Sequence, residues 1–176
     1  PGRPRRSDGP SPRSPIRSWF GLPFEVVAAA AADDDRLGPV VADLKKRNIP
    51  IHGLGLQMHI NVDSKRAEIQ DVISKSAQTG LDIHFSELDI AVNPKNNPDY
   101  SYQESTQNEL FAFVFKAYRA IPAKQQYGIT FWNVSDKDSW LRGYFKRPKE
   151  YPLLFDDKYA KKTGYTNLIN SLKTPN

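Results

Sequence analysis

Segments with strand periodicity alternate along this chain with segments of helical periodicity, and this alternation limits the possible folds more than any other feature. The period-two pattern of β-strands occurs at residues 51–60, 81–90 and 127–134. Amphipathic helical patterns lie at residues 37–44, 65–78, 103–120 and 165–172. Strands that alternate with helices form parallel sheets joined by right-handed crossovers. Three strands cannot close a barrel, so the sequence predicts an α/β fold that is either the end of a β/α barrel or a small open sheet.

Polar or aromatic side chains stand at the carboxyl end of each predicted strand. The first strand ends with Gln57 and His59, the second with Glu87 and Asp89, and the third with Trp132. In β/α barrels the catalytic groups come from these strand ends. We therefore expect these side chains to share one level of the sheet. Glu87 would be either a paired structural charge or a tuned catalytic acid or base.

The second strand fits the barrel pattern less well than its neighbours. By period two, Glu87 continues the apolar row of Ile83 and Phe85, so His84 and Ser86 would face the helices. In the flanking strands, small residues occupy the face that points away from the helices. A β-bulge near Glu87 is one explanation.

The first 36 residues differ in composition from the rest. No lysine precedes Lys45 and no asparagine precedes Asn48, whereas both residue types are frequent afterwards. Residues 1–36 are rich in Pro, Arg and Ala, and we predict that they are disordered or foreign to a folded domain of residues 37–176. No export signal is visible, because glycine, proline and glutamate interrupt the apolar stretch that follows the arginines.

The net charge of +5 is concentrated in the N-terminal segment. Residues 1–18 contain five arginines and one aspartate, which leaves a net charge of +1 for residues 19–176. This distribution argues against a nucleic-acid partner. The chain has no cysteine, no apolar run long enough for a transmembrane helix, and no HExxH or phosphate-loop motif. We therefore expect no metal ion, no cofactor and no membrane span.

Aromatic residues gather after the last predicted strand. They are Trp132, Trp140, Tyr144, Phe145 and Tyr151. Exposed rings beside carboxylates suit the apolar faces of sugar rings, although either tryptophan could instead belong to the core. The pattern favours carboxylate chemistry on a carbohydrate over a serine or zinc hydrolase.

Four motifs in this order resemble the C-terminal half of glycoside hydrolase family 10, the retaining endo-1,4-β-xylanases. They are GLGLQMHI (53–60), SELD (86–89), GITFW (128–132) followed by Asp136 and Ser139-Trp140, and PLLFD (152–156). The resemblance runs from about Leu37 to Leu172. It implies the C-terminal part of a TIM (β/α)8 barrel, from about the sixth to the eighth strand with their helices.

The resemblance also implies a role for each residue at the strand ends. Glu87 would be the catalytic nucleophile. His59 would hydrogen-bond to Glu87, and Asp89 would hold His59 in place. The residues implied to bind substrate are Gln57, Trp132 and Trp140. The family usually has Thr before the nucleophile, and Ser86 keeps the hydroxyl group at that position.

One catalytic group of that family has no counterpart in the sequence. The family's acid/base Glu follows an Asn at the end of the fourth barrel strand, whereas the only Asn-Glu pair here, Asn108-Glu109, lies in a predicted helix. We therefore expect a truncated xylanase-like chain that does not hydrolyse xylan alone. The alternatives are a non-catalytic remnant that binds xylo-oligosaccharides, and a small α/β domain with unrelated binding. The resemblance implies xylan or a xylo-oligosaccharide as partner, and a secreted or periplasmic location.

Overall fold

The computed structural model describes residues 26–29 and 37–173, which form a parallel sheet with helices packed on one face. The strands are β1 (Val26–Ala29), β2 (Gly53–Gln57), β3 (His59–Asn61), β4 (Asp82–Ala91) and β5 (Gln126–Phe131). The helices are α1 (Leu37–Lys46), α2 (Arg66–Gln78), α3 (Glu104–Arg119), α4 (Trp140–Gly143) and α5 (Thr163–Lys173). Short 3-10 turns cover Ala123–Gln125 and Asp136–Asp138. The predicted α/β class and parallel sheet are confirmed.

Every strand pair in the described sheet is parallel. The strand β1 pairs with β2, both β2 and β3 pair with β4, and β4 pairs with β5. Since β2 and β3 follow one another with only Met58 between them, they act as one interrupted strand. The sheet is therefore four strands wide, and β1 and β5 lie at its two edges within the described residues.

The third predicted strand is shorter in the structure than its sequence pattern suggested. It ends at Phe131 rather than at residue 134. Asn133 has a φ of 126°, outside the extended region that a strand requires, and this turns the chain immediately after Trp132. Trp132 is therefore the last residue that follows the course of β5. Its backbone amide still donates a hydrogen bond to the Leu88 carbonyl oxygen at 3.1 Å.

The strand β1 was not predicted, and it lies inside the segment that the sequence analysis set apart as atypical. Val26–Ala29 pair in register with residues 54–57 of the folded domain. The other residues of the 1–36 segment lie outside the described residues, so their predicted disorder or foreign origin stays a prediction.

One hydrophobic core fills the space between the sheet and the helices α2 and α3. Ile69 and Ile73 of α2 and Phe111 and Phe115 of α3 are buried in it. The Phe131 ring lies 6.1 Å from the Phe111 ring and 6.3 Å from the Phe115 ring, centroid to centroid. Each fully buried side chain of this kind contributes roughly 1.5–3 kcal/mol, so this layer holds the strands in place.

The opposite face of the sheet is open in the described part of the chain. Tyr127 and Trp132 of the last strand are 38% and 43% exposed, and a Cβ added at Gly128 would meet no atom within 4 Å. The sheet therefore presents its small and polar side chains to solvent rather than to a second layer.

A β-bulge in β4 resolves the misfit of the second strand. Phe85 pairs with Ile129 and Leu88 with Phe131, so β4 uses one residue more than β5 over this interval. The pairing with β2 and β3 shifts by one residue over the same stretch, between Phe85 and Asp89. The extra residue falls at Ser86 and Glu87.

The bulge corrects the predicted orientation of this strand. Leu88 and Ile90, both fully buried, continue the apolar row of Ile83 and Phe85, and Glu87 does not belong to that row. His84 is also not turned toward the helices, because its Nε2 lies 2.8 Å from Oγ1 of Thr130 on the open face. The expectation that period two runs unbroken to Glu87 was wrong.

None of the helices in residues 26–29 and 37–173 has the length and apolar character needed to cross a membrane.

Candidate active site

The pairing of β3 with the carboxyl-terminal part of β4 places His59 and Asp89 opposite each other in the sheet. These two residues are Cα partners in the parallel register, and Ile60 pairs with Ile90 next to them. Because parallel strands end at the same edge, all polar residues predicted at strand ends meet on one level.

Both carboxylate oxygens of Glu87 are held by hydrogen bonds from the neighbouring strand. Gln57 Nε2 donates to Oε1 at 2.9 Å, and His59 Nε2 lies 3.0 Å from Oε2. The Glu87 side chain is 17% exposed, so it remains reachable from the open face. The bulge directs this carboxylate into the row of Gln57 and His59, which fixes its orientation.

Asp89 completes the network from the other side of His59. Its Oδ1 lies 3.0 Å from His59 Nδ1, and its Oδ2 accepts a hydrogen bond of 2.7 Å from Trp140 Nε1. The Asp89 side chain is only 3% exposed. With both oxygens engaged and no access to solvent, Asp89 is suited to orienting His59 and Trp140.

His59 lies between two carboxylates, which favours its doubly protonated form. Burial by itself would lower the pKa of His59, but the hydrogen bonds and charges of Asp89 and Glu87 outweigh burial and raise the pKa above its usual value. A neutral imidazole carries one N–H, whereas the imidazolium can donate to both Asp89 and Glu87.

The two predicted sugar-binding tryptophans border this network. The Trp140 ring lies 4.7 Å from the His59 ring, and the Trp132 ring meets His59 edge to face at 5.8 Å and 82°. Trp132 is 43% exposed, whereas Trp140 is partly buried and bonded to Asp89. The structure therefore brings all six residues predicted for the site together: Gln57, His59, Glu87, Asp89, Trp132 and Trp140.

Glu109, the acidic member of the only Asn-Glu pair, lies far from this network in the fold. It is on α3, 69% exposed, and its Oε2 accepts from Arg66 Nη2 of α2 at 3.1 Å. This contact joins two helices on the outer layer. Glu109 is therefore a surface residue and does not face the strand ends.

The sequence pattern of glycosyl hydrolase family 10 matches residues 26–171, which is most of the chain. The chain belongs to glycosyl hydrolase family 10. The matched region begins at β1, ahead of the domain boundary predicted at residue 37.

Relatives in glycosyl hydrolase family 10 are similar over only part of their own length. The chain is 36% identical over 136 residues to endo-1,4-beta-xylanase B of Neocallimastix patriciarum, covering 76% of this chain and 14% of that protein. A family 10 xylanase of Thermobacillus composti has 29% identity and a TM-score of 0.75, over 84% of this chain and 52% of the other. A mutant xylanase 10C of Cellvibrio japonicus, solved in complex with xylopentaose, has 27% identity and a TM-score of 0.75, over 84% and 33%. The chain thus spans about half or less of the relatives it matches.

Two features of this family 10 chain that support the site were not foreseen from its sequence. Glu150 is fully buried, and its Oε2 accepts from the backbone amides of Val92 and Asn93 at 2.7 and 3.2 Å, which ties the end of the aromatic loop to the end of β4. Burial raises the pKa of Glu150 even though these amides and the charge of Arg147 act to lower it. The position of the Glu150 charge directly before the apolar run 151–155 was the sequence signal that could have indicated a buried structural carboxylate.

The second feature is a buried ion pair between Asp136 and Lys162. Lys162 Nζ lies 3.0 Å from Asp136 Oδ2 and donates to the Tyr151 carbonyl oxygen at 2.8 Å. Asp136 Oδ1 accepts from the Leu153 amide at 2.8 Å. The pair joins the turn after β5 to the PLLFD segment, and it was not predicted because Lys162 lies 26 residues beyond Asp136.

Proposed function

We propose that this chain carries the nucleophile side of a retaining endo-1,4-β-xylanase site, with Glu87 as the nucleophile. The observation that carries the proposal is the fixed, partly exposed Glu87 carboxylate, bonded on both oxygens by Gln57 and His59 and bordered by the exposed Trp132 ring. Membership of glycosyl hydrolase family 10 and similarity to proteins named as xylanases support the substrate class.

The chemistry is a double displacement at the anomeric carbon. Glu87 attacks that carbon as the glycosidic C–O bond breaks, which forms a covalent glycosyl-enzyme that water then hydrolyses. Gln57 and His59 each hold one oxygen of the attacking carboxylate in place, and their hydrogen bonds stabilise the carboxylate when it leaves again. Trp132 and Trp140 would stack on the sugar rings beside the cleaved bond.

The strands correspond, in this proposal, to the last part of an eight-stranded barrel. The interrupted strand β2/β3 would be the sixth, β4 the seventh and β5 the eighth. The motif order GLGLQMHI, SELD and GITFW supports this numbering. Xylan, outside the cell or in the periplasm, is the proposed substrate.

A retaining mechanism needs a second carboxyl group about 5–5.5 Å from the nucleophile. Among the described residues, both oxygens of Asp89 are already hydrogen-bonded to His59 and Trp140, and Glu109 lies on the outer helix layer. Neither residue is therefore placed to be the second carboxyl group. We propose that the 176-residue polypeptide alone does not turn over xylan. General acid–base catalysis is worth roughly 10²–10⁴-fold, so turnover without it should fall by at least that factor.

The nucleophile can be tested without the acid. A 2-deoxy-2-fluoro-xylobioside with a dinitrophenolate leaving group needs no protonation to depart, and the fluorine slows hydrolysis of the adduct. Intact-protein mass spectrometry should detect one glycosyl adduct, and peptide mapping should place it on the segment Asp82–Ala91. The Glu87→Gln variant should give no adduct, whereas Glu109→Gln should react as the parent chain does. An unlabelled parent chain would overturn the nucleophile proposal.

The second candidate is a non-catalytic protein that binds xylo-oligosaccharides, which the exposure of Trp132 favours. In that case Trp132→Ala would abolish binding of xylopentaose, and no adduct would form at any residue. Xylan turnover that Glu87→Gln abolishes would instead confirm the nucleophile and refute the proposed inactivity.

A further inference from the structure

A short segment directly after α4 exposes two aromatic rings and a lysine at the edge of the candidate site, with a half-buried arginine beside them. We call this segment, Tyr144, Phe145, Lys146 and Arg147, the basic aromatic rim. Tyr144 is 77% exposed and Phe145 44% exposed. Large exposed rings that adjoin one another are uncommon on a surface without a ligand, and they mark a candidate binding surface.

The backbone holds the rim in a defined position. The amides of Tyr144 and Phe145 donate to the Trp140 carbonyl oxygen at 2.8 and 3.3 Å, and the Arg147 amide donates to the Leu141 carbonyl oxygen at 3.0 Å. Lys146 has a φ of 57°, so the chain turns sharply between the two aromatic residues and Arg147. The rim is thus anchored to the same short helix that begins with Trp140.

The rings of the rim continue the aromatic surface of the candidate site. Tyr144 meets Phe145 edge to face with centroids 5.1 Å apart, and Phe145 meets Trp140 at 5.0 Å. Trp140 in turn lies 4.7 Å from His59, which bonds to Glu87. A polysaccharide seated on the tryptophans would therefore reach the rim without leaving an aromatic surface.

Among the described residues the cations of the rim form no close ion pair, and the charge of Arg147 acts on the buried Glu150. No ion pair joins Lys146 or Arg147 to an acidic residue of segments 26–29 and 37–173, whereas the nearby Arg142 pairs with Asp157 at 2.6 Å. The guanidinium carbon of Arg147 lies 5.3 Å from the centroid of the Phe145 ring. Glu150 is buried and bonded to the amides of Val92 and Asn93.

We propose that the basic aromatic rim binds a uronic acid substituent on the xylan chain, with a carboxylate held by Lys146 and Arg147 and a sugar ring on Tyr144 or Phe145. The inference rests on the proposed function, because it requires a xylan chain on Trp132 and Trp140. An aromatic face suits the apolar side of a sugar ring, and a lysine beside an arginine suits its carboxylate. The rim therefore selects acidic xylans over neutral ones.

The test is affinity electrophoresis of the 176-residue chain in native gels that contain glucuronoxylan or the same polymer after reduction of its carboxyl groups. The two polymers differ only in that an uncharged hydroxymethyl group replaces each carboxylate. The parent chain should bind the acidic form about two- to thirtyfold more tightly, the range for two surface ion pairs. The variant Lys146→Gln/Arg147→Gln should bind both forms equally. Tyr144→Ala should weaken binding of the acidic form by roughly two- to tenfold.

A control for overall charge is Lys116→Gln/Lys124→Gln, because both lysines are exposed near the amino ends of the strands. This variant should keep the preference of the parent chain. The inference is overturned if the parent chain binds the two polymers equally. It is also overturned if the control variant loses the preference for the acidic polymer as fully as the rim variant does. If the parent chain binds neither polymer and also forms no glycosyl adduct, the proposed function itself has failed.

Discussion

His59 Nε2 lies 3.0 Å from Glu87 Oε2, across two neighbouring parallel strands. The contact exists because a bulge in β4 turns Glu87 out of the buried row and toward the strand that carries His59. One backbone irregularity therefore places the proposed nucleophile, and the histidine beside it reports on the charge of that carboxylate.

The titration of the histidines should separate His59 from His84. Hydrogen bonds and charges from Asp89 and Glu87 raise the pKa of His59 against the opposing effect of burial, whereas burial lowers the pKa of His84. NMR titration of the imidazole protons should place His59 above about 6.5 and His84 below it. In Glu87→Gln the pKa of His59 should fall while that of His84 stays unchanged. A His59 pKa that does not respond to Glu87→Gln would contradict the hydrogen bond.

The contribution of His59 to stability should depend on pH in one direction. Its folded pKa is raised, so the contribution is fully present below the unfolded pKa of about 6.5 and is lost as the pH rises through the folded pKa. Urea denaturation of the parent chain and of His59→Gln between pH 5 and 9 should therefore give a difference that shrinks as the pH rises. A difference that grows with pH would contradict the predicted sign.

The ion pair of Asp136 and Lys162 should be strongly coupled. Both side chains are buried, and burial raises the pKa of Asp136 and lowers that of Lys162. Lys162→Met would leave a buried carboxylate without its partner and should reduce the free energy of unfolding by about 3–5 kcal/mol. The double variant Asp136→Asn/Lys162→Met should lose less than the two single losses combined. Additive losses in chemical denaturation would show that the two side chains act independently.

Gly164 in α5 should not tolerate a side chain. A Cβ there would lie 2.9 Å from Asn108 Oδ1, and 3.3 Å from both Leu154 and Phe111. Gly164→Ala should therefore lower the free energy of unfolding by about 1–3 kcal/mol. Gly143→Ala is the matched control, because its Cβ would meet no atom within 4 Å. Equal denaturation midpoints for the two variants would show that α5 shifts to make room.

The sequence was sufficient for the order of the predicted elements, because each of them has a local signature. The pattern at residues 65–78 predicted α2 almost to the residue, and Gly80, with a φ of 73°, follows the end of this helix. The strand β1 had no such signature, since Val26–Ala29 is only four residues long and lies in an unusual composition. Its pairing with residues 54–57 is a tertiary contact that no local pattern encodes.

For the candidate site, the sequence determined which residues stand at the strand ends, because period two and the parallel order follow from local patterns and chain connectivity. Only the tertiary structure decided how those residues meet. The bulge at Ser86 and Glu87 breaks the period that predicted the direction of Glu87. The bond from Trp140 to Asp89 joins residues 51 positions apart. Such contacts depend on how whole strands and loops pack, and packing is a property of the folded chain rather than of any one segment.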